Sequence, residues 1–394
     1  MKHAVLSASG SERWINCPGS VAFCKPYPRT TTVYADEGTV AHEIADRVLK
    51  SKARIKSAEK YEGKTLKHLK ISVPSFDGDY VISREMVTHV QEYVDYVLSF
   101  ETKTSKRFNE QRVDYSHYVP QGFGTCDASI IDDDTLHIFD LKFGKGVEVY
   151  AEQNTQAQLY AIGFLKLTDG LTFVNIDKIT LHICQPRRQH FDSWTLTKKE
   201  LLKFAQYASI RANETLKDDA PLVPGEKQCK FCPAKQDCPA LKEIAEKSLL
   251  TAFDDIDDKD SLPTIERLTD EEKRAILKNK KLIETFLESV EKDVFRTLAN
   301  GQEFDGYKLV EGRSNRVYTE QAESLIVERL GEYAYNKKLI GVTEAEKKLG
   351  KAFISAITMK PSGKPTLVTS NDKRDVISLN SVDLNTAFDD LDEE

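Results

Sequence analysis

The sequence predicts an α/β protein: a mixed β-sheet flanked by helices, followed by a mainly helical C-terminal extension. Three observations carry this. Apolar residues recur at helical spacing on both sides of a block of strand-like runs. Within that block, Asp132-Asp133-Asp134 separates two strand-like runs and signals a hairpin. Helix, antiparallel strands, helix and strand then follow one another, the order expected of helices packed on a sheet.

Val40, Ala41, Ile44, Ala45 and Val48 set a short helix over 39–50. Residues 51–80 are Lys-rich with few large apolar side chains and read as an exposed insertion. Met86, Val90, Tyr93, Val94 and Val97 mark one face of a helix over 84–100. Strands are expected at 111–119, 123–131 and 135–143, a helix at 152–167, strands near 178–185 and 190–195, and a helix near 198–216. A cysteine-bearing segment at 228–239 closes this part. The expected organisation is a domain over 1–245, an acidic linker over 246–263, a mainly helical accessory region over 264–358, and a basic loop with an acidic tail over 359–394. Within the accessory region, 264–300 reads as one long helix or two, 303–318 as a hairpin, and 319–335 and 343–358 as helices.

No apolar run approaches the roughly 18–20 residues of a membrane span, and the N-terminus lacks the apolar segment of a signal peptide. Seven cysteines in such a chain suit reduced thiols and metal ligation better than disulfides. The expectation is a cytoplasmic protein. Net charge is −7, but the acidity is not uniform: residues 1–250 hold 34 Lys+Arg and 33 Asp+Glu, whereas 251–394 hold 22 and 30. The first part is therefore compatible with a local basic groove for nucleic acid.

If the turn centres on Asp133 and Asp134, Asp127 lies opposite Asp140. Directly opposed side chains share a face, with Cβ atoms about 4.5–5.5 Å apart. Two carboxylates that close repel unless a cation lies between them. Lys142, two residues after Asp140, projects from the same face. The rest of that strand (Leu136, Ile138, Phe139, Leu141, Phe143) is apolar, so three ionised groups there are costly unless they form a site. Phosphodiester hydrolysis needs an activated water and neutralisation of developing charge. Hard cations on carboxylates supply much of this, and a lysine can orient the water and stabilise charge.

The ordered set Gly38-Thr39-Val40-Ala41-His42, Gly124-x-x-Asp127, Asp140-x-Lys142 and Gln156-x-x-x-Tyr160 resembles the PD-(D/E)XK nuclease superfamily, in particular its RecB-like exonuclease branch. The resemblance covers roughly residues 1–245 and implies a restriction-endonuclease-like core. It implies that Asp127, Asp140 and the backbone carbonyl of Leu141 bind Mg²⁺ or Mn²⁺, with His42 as a metal ligand or phosphate contact. Lys142 would be the catalytic lysine, and Gln156 and Tyr160 would contact DNA or position Lys142. Glu110, before the first core strand, is a further candidate. In one departure, Cys126 rather than proline precedes Asp127. His117, His137, His182 and His190 lie outside the pattern and read as structural.

Cys229-x-x-Cys232-x5-Cys238 places three thiols in ten residues. Thiolates select zinc or iron–sulfur clusters, and a fourth ligand is needed. Cys17, in Trp14-Ile15-Asn16-Cys17-Pro18-Gly19, is the best candidate, with Cys24 the alternative. The arrangement looks like the iron–sulfur subgroup of the same branch, which implies a [4Fe–4S] cluster on Cys17, Cys229, Cys232 and Cys238. Zinc on the same four is the alternative metal. Cys126 and Cys184 fall on expected strands and read as buried apolar cysteines.

Thr251-Ala-Phe-Asp-Asp-Ile-Asp-Asp258 recurs as Thr386-Ala-Phe-Asp-Asp-Leu-Asp-Glu393. Acidic segments with two apolar anchors suit docking into a basic, apolar groove. The resemblance implies a metal-dependent DNA exonuclease of phage recombination or replication, acting in a bacterial host. The tail would dock a single-strand annealing or single-strand-binding protein. A catalytically weak binding module and a structure-specific endonuclease are the competing readings.

Overall fold

The computed structural model describes residues 4–27, 32–168, 175–250, 269–308 and 350. The chain divides into two compact units, 1–309 and 310–394. The described elements of the first are helices α1 (Ser11–Asn16), α2 (Ser20–Phe23), α3 (Val33–Lys50), α4 (Leu66–Leu69) and α5 (Arg84–Leu98), and strands β1 (Lys106–Asp114), β2 (Phe123–Asp132) and β3 (Thr135–Leu141). Then come α6 (Thr155–Thr168), β4 (Lys178–Gln185), β5 (His190–Thr197), α7 (Lys198–Glu214), α8 (Glu226–Lys230), α9 (Pro239–Leu250) and α10 (Asp270–Ala299).

The five strands form one mixed sheet in the order β1-β2-β3-β4-β5. β3 and β4 run parallel and every other neighbouring pair is antiparallel. α6 makes the crossover that a parallel pair requires. The β2–β3 register pairs Asp132 with Thr135 and Ala128 with Phe139, the alignment that places Asp127 and Asp140 on the next rung. Asp133 takes the left-handed conformation, φ 49°, that a tight two-residue hairpin demands.

Both faces of the sheet are covered. Leu136, Ile138, Ile179 and Leu181 pack under α6, α7 and the N-terminal segment with Trp14 and Ile15. Phe139, Leu141, Ala128 and Ile130 pack under α3 and α5. Side chains of β3 alternate between these layers, so Asp140 belongs to the α6 side. Caps define the helices: Thr32 accepts from Ala35 N–H, Ser83 from Met86 N–H, and Thr197 and Thr269 form capping boxes with Glu200 and Glu272.

Several expectations move. The first core strand lies at 106–114, not 111–119, because Tyr115–Val119 turn back over Gly122 through Tyr115 N–H to Gly122 O. The helix expected at 39–50 is α3 and begins at Val33, and the third strand ends at Leu141. Residues 51–80 are not simply an exposed insertion: Ala58, Tyr61, Leu66, Leu69 and Val73 are buried against α3 and α5. Most of the lysines face water, with Lys56 instead donating to Leu49 O and Ser51 O, while these few apolar residues, irregularly spaced, complete that layer. One continuous helix, α10, occupies 270–299. The expected helices at 319–335 and 343–358, most of the 303–318 hairpin, the two acidic repeats and the region from 359 lie outside the described residues. Among the described residues no helix is long and apolar enough to cross a membrane.

Candidate metal and lysine site

Regular alternation breaks at a single rung of the sheet. Phe108 and Val113, five residues apart on β1, pack in the same layer, whereas Cys126 and Ala128, two apart on β2, pack in opposite layers. Period-two strands forbid both arrangements. The break falls at Glu110, whose φ is +46°, and at Asp127, the residue opposite in register. The 110/127 rung is missing from the ladder between Asn109↔Ala128 and Gln111↔Cys126. A left-handed glutamate inside a strand is strained, and such strain persists where the surroundings over-determine it.

The same rung is where β2 and β3 part. Their pairing stops at Ala128↔Phe139, and the next N–H of β3 facing β2, that of Leu141, donates to Asp127 Oδ2 at 2.7 Å. The Asp127 carboxylate thus replaces a backbone acceptor, and its other oxygen is 3.3 Å from His42 Nδ1 on α3. α3 is anchored by Val40, Ala41, Ile44 and Val48, all fully buried, so His42 is presented by a rigid element. Ligand atoms of His42, Glu110 and Asp127 all lie within 4.8 Å of one another, a group that could hold a metal ion.

Asp140 and Lys142 complete the site from β3. Asp140 is 2% exposed, and its Oδ2 is 2.7 Å from Lys142 Nζ. Lys142 also donates to Gln156 Oε1 at 2.8 Å, and Gln156 Nε2 donates to Asp140 Oδ1 at 3.2 Å and to Tyr160 Oη at 3.1 Å. One amide therefore holds the lysine, the aspartate and the tyrosine. The i, i+4 spacing of Gln156 and Tyr160 on α6 puts both on the face that meets β3.

Gly124 serves this arrangement. A Cβ there would lie 2.8 Å from Tyr160 Cε1, so only glycine lets the buried ring sit against β2. Gly38 has no such reason: a Cβ there would meet nothing within 4 Å.

Electrostatics match a cation-binding site. Burial and the Asp127 charge push Glu110 up to about 7. Burial would lower His42, but the Asp127 carboxylate outweighs it and holds the imidazole at about 9. Burial raises Asp140, opposed by Lys142 and reinforced by Asp127. Burial, then Asp140 and Asp127, drive the Tyr160 hydroxyl upward, so it stays neutral while it accepts from Gln156. Glu110 and Asp127, with ligand atoms within 4.8 Å, repel each other, and a positive ion between them relieves this. Carboxylates with one imidazole are a donor set that could hold a metal ion.

α3 and α5 are tied to the sheet at the rim of this site. Arg187, just after β4, pairs with Glu37 at 2.6 Å and Glu85 at 3.1 Å, and its guanidinium lies 4.9 Å from the centre of the Phe143 ring. Composition gave no sign of this clamp.

Cys17, Cys229, Cys232 and Cys238 line one small cavity, with Arg13, Ser20 and Lys235 beside them. Gly19 N–H donates to Pro221 O at 2.9 Å, and a Cβ at Gly19 would lie 2.4 Å from Ala220 O, so the two ends of the domain meet closely there. Val223 N–H donates to Cys17 Sγ at 3.2 Å and Gly225 N–H to Cys229 Sγ at 3.4 Å. Cys24 is not part of that lining but touches Cys232, with Sγ atoms 3.6 Å apart. That contact, helped by Ala234 N–H, Arg13 and Lys235 against burial, lowers Cys232 to about 6. Cys126 and Cys184 are fully buried in the apolar layers.

Every candidate of the first site is therefore brought together: His42, Asp127, Asp140, Lys142, Gln156 and Tyr160, with Leu141 entering through its N–H. Glu110 takes a position as central as any of them. His137 and His182 lie apart from this group. They share a hydrogen bond at 3.0 Å, His182 bonds Tyr96 Oη at 3.0 Å, and its ring stacks on Phe139.

A solved structure named "Crystal structure of SSO0001" is similar to this chain at 16% identity, over 39% of this chain and 67% of that one, with a TM-score of 0.23. Over residues 3–375 the chain matches the family described as "Protein of unknown function (DUF2800)", and it belongs to that family.

Proposed function

We propose that this protein is a Mg²⁺- or Mn²⁺-dependent deoxyribonuclease of the PD-(D/E)XK superfamily, an exonuclease of the RecB-like branch that hydrolyses phosphodiester bonds. The observation that carries the reading is the convergence at one break in the sheet. His42, Glu110 and Asp127 form a group able to hold a cation, beside a buried Asp140 ion-paired to Lys142. An apolar-packed sheet gains nothing from such a group unless charge is to be bound there.

A cation held by His42, Glu110 and Asp127, with Asp140 and the Leu141 carbonyl beside them, would polarise the scissile phosphate and lower the pKa of an attacking water. The chain's own groups do the rest. Gln156 fixes Lys142 by its amide oxygen and Asp140 by its amide nitrogen, so the ammonium is aimed before substrate arrives. Lys142 orients the attacking water and neutralises charge that develops on the phosphate. Tyr160, kept neutral, holds Gln156 in place.

For the second site, the four cavity-lining thiols fit a [4Fe–4S] cluster on Cys17, Cys229, Cys232 and Cys238, with zinc the alternative. Thiols are the donors both metals require. The group would brace the join between the ends of the domain. The acidic tail ending at Glu394 carries no basic residue after position 383 and repels DNA. Its proposed partner is a single-strand annealing or single-strand-binding protein of the same phage system, in a bacterial cytoplasm.

The test is hydrolysis of end-labelled linear and closed circular DNA in Mn²⁺, with Asp140→Ala as control. Degradation of linear DNA alone supports an exonuclease. Cutting of circles indicates an endonuclease, and no hydrolysis indicates a binding module. Full activity of Asp140→Ala would sink the site assignment.

A further inference from the structure

The cleft that opens at Lys142 and Gln156 continues beyond them. It passes Tyr150 and runs between the start of α1, the loop before α6, the cysteine segment and the face of α10 bearing Lys281 and Thr285. Two aromatic side chains stand on its walls mostly in water, Phe231 at 74% exposure and Tyr150 at 58%. Phe231 lies between Cys229 and Cys232, so its backbone is fixed by a compact segment while its ring faces out. A single exposed ring needs no explanation. Two in one charged cleft that starts at a lysine aimed at phosphate form a pattern.

The charges of the cleft are unequal in availability. Acidic and basic side chains line it in equal number, but most of the acids are already engaged. Glu12 pairs with Lys227, Glu148 with Arg188, Glu226 with Lys281, Glu284 with Lys280 and Glu288 with Lys292. Arg13, Lys230 and Lys235 are in no ion pair among the described residues, and of the acids only Glu152 stands likewise. Lys230 lies 5.8 Å from the centre of the Phe231 ring, and Arg13 and Lys235 also border the thiol cavity. Cations outside ion pairs therefore outnumber such anions along the path.

We propose that this cleft is the path of single-stranded DNA to the catalytic lysine, with Tyr150 and Phe231 stacking on its bases and Arg13, Lys230 and Lys235 meeting its phosphates. The proposal rests on the nuclease reading and adds its substrate class. Base faces are open to a side-chain ring only where bases are unpaired. A duplex presents base edges in its grooves and would leave both rings unused. On this reading the cysteine segment grips the strand as well as bracing the fold.

The test uses the full-length protein and a fluorescent oligothymidylate of about 16 nucleotides, read by anisotropy without divalent cation. Phe231→Ala and Tyr150→Ala should each weaken binding by about five- to a hundredfold at unchanged melting temperature. Both should hydrolyse a small chromogenic thymidine phosphodiester in Mn²⁺ at the wild-type rate, because that substrate occupies only the mouth of the cleft at Lys142 and has no further bases for Tyr150 or Phe231 to stack on. Wild-type affinity in both variants, or wild-type preference for a duplex of the same length, overturns the proposal. Wild type inert toward the small diester, with binding still lost in Phe231→Ala, removes the nuclease reading and leaves the cleft assignment standing.

Discussion

The backbone N–H of Leu141 donates to Asp127 Oδ2 at 2.7 Å, across the point where β2 and β3 stop pairing. A side chain has taken the place of a ladder carbonyl, and this opens the sheet without leaving a buried donor unpaired. Asp127→Asn keeps an acceptor oxygen there, whereas Asp127→Ala removes it. Both variants should lose hydrolysis, but Asp127→Ala should be less stable than Asp127→Asn by about 1–3 kcal/mol, the cost of an orphaned buried donor. Urea denaturation of the pair checks this; equal midpoints would show that the contact is dispensable.

Asp140 is nearly inaccessible and pushed toward its neutral form by burial. Lys142, its partner, keeps 29% of its side chain exposed and can turn to solvent if the carboxylate is removed. Asp140→Asn should therefore melt at or above the wild-type temperature without divalent cation. DNA hydrolysis by the same variant should fall by at least about a hundredfold, the scale of losing a transition-state electrostatic contact. Calorimetry beside a nuclease assay separates the two effects.

Gly124→Ala places a methyl group 2.8 Å from Tyr160 Cε1. Overpacking of this kind costs about 1–3 kcal/mol. The ring that must move also holds Gln156, so hydrolysis should fall further than stability explains. The comparison is with Gly38→Ala, which meets open space and should leave both nearly unchanged. A fully active Gly124→Ala protein would uncouple Tyr160 from the site.

His182 is 1% exposed and held down to about 3, by burial first and by His137 second. In the unfolded chain it titrates near its ordinary value of about 6.5. The unfolded state therefore binds more protons between those values, and stability is complete above about 6.5 and declines as pH falls. Between about pH 7.5 and 5 this histidine alone should remove about 2 kcal/mol. His182→Asn should start less stable, having lost the stack on Phe139, but should show a shallower decline with acid. An unchanged slope would place the acid sensitivity elsewhere.

Cys17 lines the thiol cavity and Cys24 does not, although Cys24 touches Cys232. Cys17→Ser should lose bound metal and brown colour in protein prepared without oxygen, while Cys24→Ser keeps both. Metal and sulfide analysis of the two variants decides the fourth ligand. Colourless wild type with one zinc per chain would decide the metal the other way.

Much of this site was legible because its parts are local in sequence. The Asp132–Asp134 turn sets the β2–β3 register, and register alone brings Asp127 to Asp140 and puts Lys142 on the same face. Gln156 and Tyr160 follow from helical spacing. Glu110 was only a minor candidate because its position depends on a left-handed backbone that breaks the alternation of two strands, and no residue pattern encodes that. The same break moved the first core strand: a run read as regular from 111 begins at 106. Arg187 joins Glu37 and Glu85 across 150 and 102 residues of chain, a separation at which periodicity carries no information. The 51–80 segment was misread because five scattered apolar residues, too irregular for any repeat, still fill a layer.

Arg211 donates to Ile15 O, and Val223 N–H to Cys17 Sγ across 206 residues. These contacts set an order of events during synthesis. The first helix leaves the ribosome with its partners still unmade, and at 5–20 residues per second it waits roughly 10–40 s for them. Throughout that time Trp14 and Ile15, which end as core residues, have no finished surface to cover them. A nascent chain halted before residue 223 should therefore be a target for chaperones and proteases, and release should coincide with completion of the cysteine segment.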